Sequence, residues 1–426
     1  MTPLYIDPGT GSMLFTIVIG LVTTLWFVLR GCASRLGTLL AGGRRQRRDR
    51  EGLIIWNESP RYDRVFAALL EELDRRGERA VYLVCDSADP ALARAEKGQY
   101  RHIQVELAGN GNRLWARLNT LEADVVLMTT PGLEVYQLKR SRSVGFYAHL
   151  LHAVDDATSY RLFGLDWFDA VLLSGEYQAG ALRALEAKRR LKARELPVVG
   201  STYLDSYATA IENLRTKTPD SPDSPANPAA TITVLVSPSW GASGILARYG
   251  SALIDPLLEA GFTVILRPHP QSFESEKELI DRLATRYQKE DKLEWDRERD
   301  NTASLSRANV MISDFSGIIF DYAFLFGGPI LYALSDFDMR PYDAGCLEER
   351  PWKFQAIEAL GNPLDPTRFD ELPDIITSAL ADPARADAVT RLRNEAWQYR
   401  GEAACRAADY LIQTRERIQR EGKPRA

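Results

Sequence analysis

From Gly52 onward, short apolar runs alternate with longer stretches whose apolar residues recur at helical spacing, and the pattern occurs twice. In the first half, residues 53–56, 80–85, 123–129 and 170–174 read as strands. Between the first two, Val65, Phe66, Leu69, Leu70 and Leu73 mark one face of a helix that ends near Gly77. Runs this apolar are buried on both faces, which is the signature of a parallel sheet covered by helices. Residues 216–230 break the pattern with Pro, Ser and Asp, a composition too poor in apolar surface to order itself, and read as an interdomain linker. Strands then resume at 232–236, 262–266, 310–312 and 329–332, with a helix over 250–260. The expectation is α/β: two Rossmann-like, doubly wound domains facing a cleft, over residues 51–215 and 231–385, followed by carboxyl-terminal helices over 386–426. Ligands of such sheets bind beyond the carboxyl ends of the strands.

Residues 1–50 differ in kind. Residues 13–29 are uncharged and apolar, long enough as a helix for about 25 Å at ~1.5 Å per residue. Arg30, Arg35 and the cluster Arg44, Arg45, Arg47, Arg48 and Arg50 follow, giving this segment a net charge of +5 in a chain whose total is −5. The charges lie after the apolar run, which fits a signal peptide badly. By the positive-inside rule the segment is expected to be one transmembrane anchor in the inner (cytoplasmic) membrane, with a basic juxtamembrane stretch and all later residues on the cytoplasmic side. The acidic body argues against a nucleic-acid partner. Four cysteines without C-x-x-C spacing and four histidines give no metal motif.

The candidate chemistry sits after strands. Arg267-Pro-His269-Pro270 follows the run ending at Leu266; prolines stiffen that loop, and a guanidinium beside an imidazole suits a phosphate or pyrophosphate. Ser313-Asp314-Phe315-Ser316-Gly317 opens an apolar helix, where free N–H groups attract an anion and Gly317 permits close backbone approach, although Ser and Asp are also ordinary caps. The loop holding Ser237, Ser239, Trp240, Gly241 and Gly244 reads equally as a phosphate cradle or a plain turn. His149 and His152 would share a face on a helix and oppose each other on a strand. His152 is a candidate general base, and a structural core histidine is the competing reading.

Taken in order, these residues resemble the CDP-glycerol glycerophosphotransferase family, which includes teichoic acid primases and polymerases and is similar in fold to GT-B glycosyltransferases. The resemblance runs from about Leu53 to Tyr342. It is carried by Arg267-Pro-His269-Pro270, by Ser313-Asp314-Phe315-Ser316-Gly317 continuing to Asp321, and by Gly200 to Asp205. Ser237-Pro-Ser239-Trp240 looks like a family segment whose next residue is arginine, here Gly241, and His152 stands where the family carries a Trp-His-Gly-Thr-Pro histidine. The resemblance implies transfer of phosphoglycerol from CDP-glycerol to an acceptor hydroxyl, with release of CMP. It implies His152 and His269 as catalytic residues. Arg267, Ser237, Ser239, Ser313, Ser316 and Gly317 would bind the donor phosphates, and Asp314 and Asp321 would fix the loop or bind a hydroxyl. It implies no cofactor and no metal. A membrane anchor suits a lipid-linked acceptor in cell-envelope polymer synthesis. The alternatives are a GT-B nucleotide-sugar glycosyltransferase or 2-epimerase-like enzyme, and a non-catalytic scaffold.

Overall fold

The structure, a computed structural model, describes Thr24, Trp26 and residues 50–155, 157–217, 231–333, 338–382 and 385–422. The chain divides after Arg50, and all that follows concerns Glu51–Ala426. Apart from Thr24 and Trp26, the expected membrane segment lies outside the described residues, as does the linker beyond Lys217. Among the described residues no helix is long and apolar enough to cross a membrane.

The first sheet holds β1 (Glu51–Asn57), β2 (Ala80–Val84), β3 (Ile103–Leu107), β4 (Ala123–Met128), β5 (Val144–Leu150) and β6 (Ala170–Leu172), in the order β3-β2-β1-β4-β5-β6. The second holds β7 (Thr233–Val236), β8 (Thr263–Leu266), β9 (Leu293–Trp295), β10 (Val310–Ser313), β11 (Ile330–Tyr332) and β12 (Asn362–Pro363), in the order β12-β11-β10-β7-β8-β9. Every pairing between these strands is parallel. Read from its third strand, the second sheet repeats the order of the first. Each sheet therefore has its switch point between its first and fourth strands, where the flanking connections diverge and leave a crevice.

Strand alternation divides each lobe's interior into two layers. Leu53, Ile55, Tyr82, Val84, Val125 and Leu127 face one core, while Ile54, Trp56, Val81, Leu83, Val126 and Met128 face the other. In the second lobe Leu235, Ile265 and Met311 oppose Val234, Val236, Val264 and Leu266 in the same way. Both faces are covered by helices, so the strands can be apolar throughout.

Helices near the lobe boundaries do not follow sequence order. The helix Ala403–Glu421 inserts Ala407, Ala408, Leu411 and Ile418 into the core of the first lobe. The helix Thr202–Lys217 sends Leu204, Tyr207 and Ile211 to the core of the second. The last helix thus completes the lobe that the chain began, and the lobes share these crossings. A second junction is a short backbone ladder. Leu162 N donates to Pro341 O at 3.1 Å, Asp343 N to Tyr160 O at 3.0 Å and Ala344 N to Thr158 O at 2.9 Å, around an antiparallel bridge between Arg161 and Tyr342. Buried Asp343 reinforces it by accepting from Phe163 N at 2.8 Å and Arg189 Nη2 at 2.5 Å.

Candidate active site

The carboxyl ends of both sheets open on one cleft with a volume of about 860 Å³. That is within the range of roughly 300–1,000 Å³ typical of small-molecule sites. His152, immediately beyond β5, and His269, beyond β8, both line it.

β5 settles the choice left open for the histidine pair. His149 is in the strand and fully buried, and His152 lies past its end at the cleft. His152 Nδ1 is 2.9 Å from Thr129 Oγ1 and 3.2 Å from Tyr160 Oη, which leaves Nε2 for a ligand. Burial pushes His152 down from 6.5 to about 4, against the opposing pull of Asp155, so it is a neutral imidazole at neutral pH. His269 accepts a hydrogen bond at Nδ1 from Gln271 N, 3.1 Å away. The proton of its neutral ring is therefore on Nε2, which makes that nitrogen a donor. Burial lowers its pKa as well, and the positive charge of Arg61 adds to the effect.

Asp314 organises the second lobe's side of the cleft. It is fully buried and accepts from Ser239 N at 3.0 Å, from Ile245 N at 3.1 Å and from Ser316 N at 3.1 Å. One carboxylate thus ties the loop after β7 to the loop after β10. Ser239, Ser316 and Gly317 consequently reach the cleft wall. The helix Ile318–Leu325 begins there; Ile319 N and Phe320 N already donate to Ser316 O at 3.3 Å and Gly317 O at 3.0 Å, so the N–H groups assigned to an anion at this end are those of Gly317 and Ile318. A Cβ on Gly317 would come no closer than 3.9 Å to Asp155 Oδ2, so this backbone is open to approach from the other lobe. Gly241, where the family's arginine is missing, has φ +92°, a conformation suited to glycine.

Three expected phosphate ligands, and Asp321, are engaged elsewhere. The Arg267 guanidinium is held by Asp296 and by Glu298 O at 2.8 Å, and Arg267 is not among the cleft-lining residues. Ser313 is fully buried and donates to Ser237 O at 2.6 Å, while Ser237 Oγ donates to Arg267 O at 3.4 Å. These three side chains connect the ends of β7, β8 and β10 and shape the loops from behind. Asp321 accepts from Tyr203 Oη at 2.9 Å and joins helix Ile318–Leu325 to helix Thr202–Lys217, away from the cleft lining. Arg267→Ala is expected to cost about 2 kcal/mol in stability, because Asp296 loses its charge partner but keeps Ser304 and Glu298 N. Donor KM in the folded enzyme should change little, and a melting curve with steady-state kinetics separates the two effects.

Burial raises the Asp321 carboxyl from 3.8 to about 7. The folded chain therefore keeps a proton that the unfolded chain has lost. Its contribution to stability is complete below about pH 4 and declines as pH rises to about 7. Asp321→Asn is expected to gain about 2–4 kcal/mol at pH 8 and nothing at pH 4. Urea titrations at the two pH values check this.

Several cleft residues have no motif of their own. Glu58 follows β1, and Tyr62 packs on His152 with ring centroids 4.8 Å apart. Lys353 crosses from the second lobe to pair with Asp155 at 2.5 Å. Arg161 lines the cleft exposed, with no ion pair among the described residues, its backbone fixed by the bridge to Tyr342. Their only sequence signal is position just beyond a strand's carboxyl end, which holds for Glu58 but not for Arg161 or Lys353. Among the described residues no group of three His, Cys, Asp or Glu side chains is placed to hold a metal ion.

No curated protein matches this sequence at a significant level. Among solved structures, the wall teichoic acid polymerase TagF, as an H444N variant soaked with CDPG, superposes with a TM-score of 0.54 at 12% identity, covering 95% of this chain and 98% of that one. UDP-GlcNAc 2-epimerase from Methanocaldococcus jannaschii reaches 0.52 at 13% identity, covering 85% and 99%. The same enzyme from Neisseria meningitidis reaches 0.50 at 13%, covering 86% and 99%. At these identities the likeness establishes the GT-B-like scaffold and does not choose between donors. The family model of CDP-glycerol:poly(glycerophosphate) glycerophosphotransferase matches residues 238–349, the stretch that holds His269, Asp314 and Ser316. The second lobe of this chain is thus similar to the CDP-glycerol glycerophosphotransferase family over the matched stretch, on a scaffold like that of TagF.

Proposed function

We propose that the protein transfers glycerol phosphate from CDP-glycerol to an acceptor hydroxyl and releases CMP. The observation that carries this reading is that two neutral imidazoles, one from each lobe, line one cleft, each held through Nδ1 so that Nε2 is left for substrate. In the proposed reaction the acceptor oxygen attacks the glycerol-bearing phosphorus as its proton passes to His152 Nε2. The bond to the bridging oxygen breaks, and CMP leaves with the electron pair. His269 Nε2–H, the N–H groups of Gly317 and Ile318 and the hydroxyls of Ser239 and Ser316 stabilise the charge developing on the phosphates. With Arg267 engaged by Asp296, Arg161 is the cleft cation assigned to a substrate phosphate. Asp314 and Asp321 hold the framework and do not touch the donor.

The acceptor is proposed to be lipid-linked and part of cell-envelope polymer synthesis. Residues 13–29 would anchor the enzyme in the cytoplasmic membrane with its lobes on the cytoplasmic side, which raises the local concentration of such an acceptor. Purified enzyme given CDP-glycerol and then UDP-sugars decides the donor. CMP release with the first alone supports the proposal, and UDP release alone transfers the chain to the nucleotide-sugar enzymes that share its scaffold. Removing residues 1–50 should move the protein from the membrane to the soluble fraction. A truncated protein that still sediments with membranes would place the attachment in the lobes.

A further inference from the structure

We propose that Tyr160 and the buried His149 act as positioning residues that hold His152 as its Nδ1–H tautomer, so that the lone pair on Nε2 faces the cleft. This rests on the reading of His152 as the base and adds how the base is kept in its active form.

The argument is proton accounting along one chain of contacts. Tyr160 Oη lies 3.2 Å from His149 Nε2 and 3.2 Å from His152 Nδ1, while Thr129 Oγ1 lies 2.9 Å from that same Nδ1. Tyr160 has one proton to give. If it gave that proton to His152, His149 would have to donate from Nε2, and His152 would carry its own proton on Nε2, facing the cleft and useless as a base. Two hydroxyls would then also compete for the single lone pair on His152 Nδ1. In the opposite arrangement each of these three contacts has one donor and one acceptor. Tyr160 donates to His149 Nε2, and His152 Nδ1–H points between two oxygens that both accept, with Thr129 the nearer. The remaining His149 proton then sits on Nδ1, which faces the Thr130 backbone carbonyl at looser than standard hydrogen-bond geometry. Burial keeps both imidazoles neutral and the phenol protonated, so no ionised form disturbs the pattern. Among the described residues no carboxylate is bonded to His152. The Tyr160–His149 pair therefore does by proton placement what a buried aspartate does in other hydrolases and transferases.

The chain of contacts is also tied to the second lobe. Tyr160 O accepts from Asp343 N at 3.0 Å, and Thr158 O from Ala344 N at 2.9 Å. The tautomer of the base on the first lobe thus depends on a segment contributed by the second.

The sequence contains four histidines, so a 15N-histidine-labelled sample of the full chain gives four imidazoles that single His→Gln variants can assign. Nitrogen shifts are expected to show His152 protonated at Nδ1. Tyr160→Phe keeps the ring packing and should leave donor KM unchanged, while the melting temperature falls by a few degrees because buried His149 Nε2 loses its donor. It should convert His152 to a tautomer mixture and lower kcat about tenfold or more. A wild-type His152 protonated at Nε2 overturns the proposal. So does a Tyr160→Phe enzyme with unchanged His152 shifts, since Thr129 alone would then suffice. Should His152→Ala retain full transfer, the base assignment fails, whereas the tautomer measurement still decides the positioning claim.

Discussion

His152→Ala is expected to slow glycerol phosphate transfer by about two to four orders of magnitude, the usual share of a general base, while CDP-glycerol binds within about twofold of wild type. The separation follows from where the ring sits. His152 comes from the first lobe beyond β5, whereas the groups assigned to the donor phosphates, Arg161 apart, belong to loops after β7, β8 and β10. Removing the imidazole leaves Asp314 and the loops it holds intact. The pH profile provides a second check. Because burial moves His152 from 6.5 to about 4, the acid limb of kcat/KM due to this group should fall near pH 4. An acid limb near 6.5 would mean a solvated imidazole, and a variant that lost donor binding along with transfer would reassign the residue to the donor site.

Whether each part of this site could be read from sequence depended on how local its physics is. β1, β2 and β4 are legible because both faces are buried and each carries an apolar run, residues 53–56, 80–84 and 125–128. β3, Ile-Gln-Val-Glu-Leu, is not, since an edge strand tolerates polar residues and Leu107 is exposed. β9 has only three residues, Leu-Glu-Trp, too few to show a period. The positions of His152, His269, Ser316 and Gly317 at the cleft follow from the rule that ligands bind beyond strand ends. The same rule placed Arg267 there and was insufficient, because the fate of a guanidinium depends on what it meets. Asp296 is 29 residues away and Glu298 is 31, and no local pattern announces that they will take it. Ser313 Oγ likewise donates to Ser237 O, 76 residues away, and Ser237 Oγ to Arg267 O, 30 residues away. Arg161 and Tyr160 lie where residues 158–163 meet 338–345 across the lobes, and Lys353 comes to the cleft from the start of the helix Trp352–Leu360.

The second large effect is expected at Asp314. Its two oxygens accept from three backbone N–H groups in a site closed to water. Burial raises its pKa, while those bonds pull it back toward the ionised form. Asp314→Ala would leave three buried donors unpaired, at about 1–3 kcal/mol each, so a loss of roughly 3–6 kcal/mol is expected. Asp314→Asn preserves the shape but replaces one acceptor by an NH2 that faces N–H groups, so it should recover only part of the stability. The functional loss should exceed what unfolding explains. Ser239 and Ser316 lose their common anchor, and amide exchange over residues 237–245 and 314–317 should accelerate in the fraction that remains folded. Donor KM should rise in that fraction, whereas Arg267→Ala, which sits behind the same loops, should leave it nearly unchanged. The contrast between the two variants tests whether the donor subsite is made of backbone held by one buried carboxylate. Equal effects on donor KM would show that Arg267 contacts the donor after all, and an Asp314→Ala enzyme with wild-type melting temperature and KM would remove the carboxylate from the scheme.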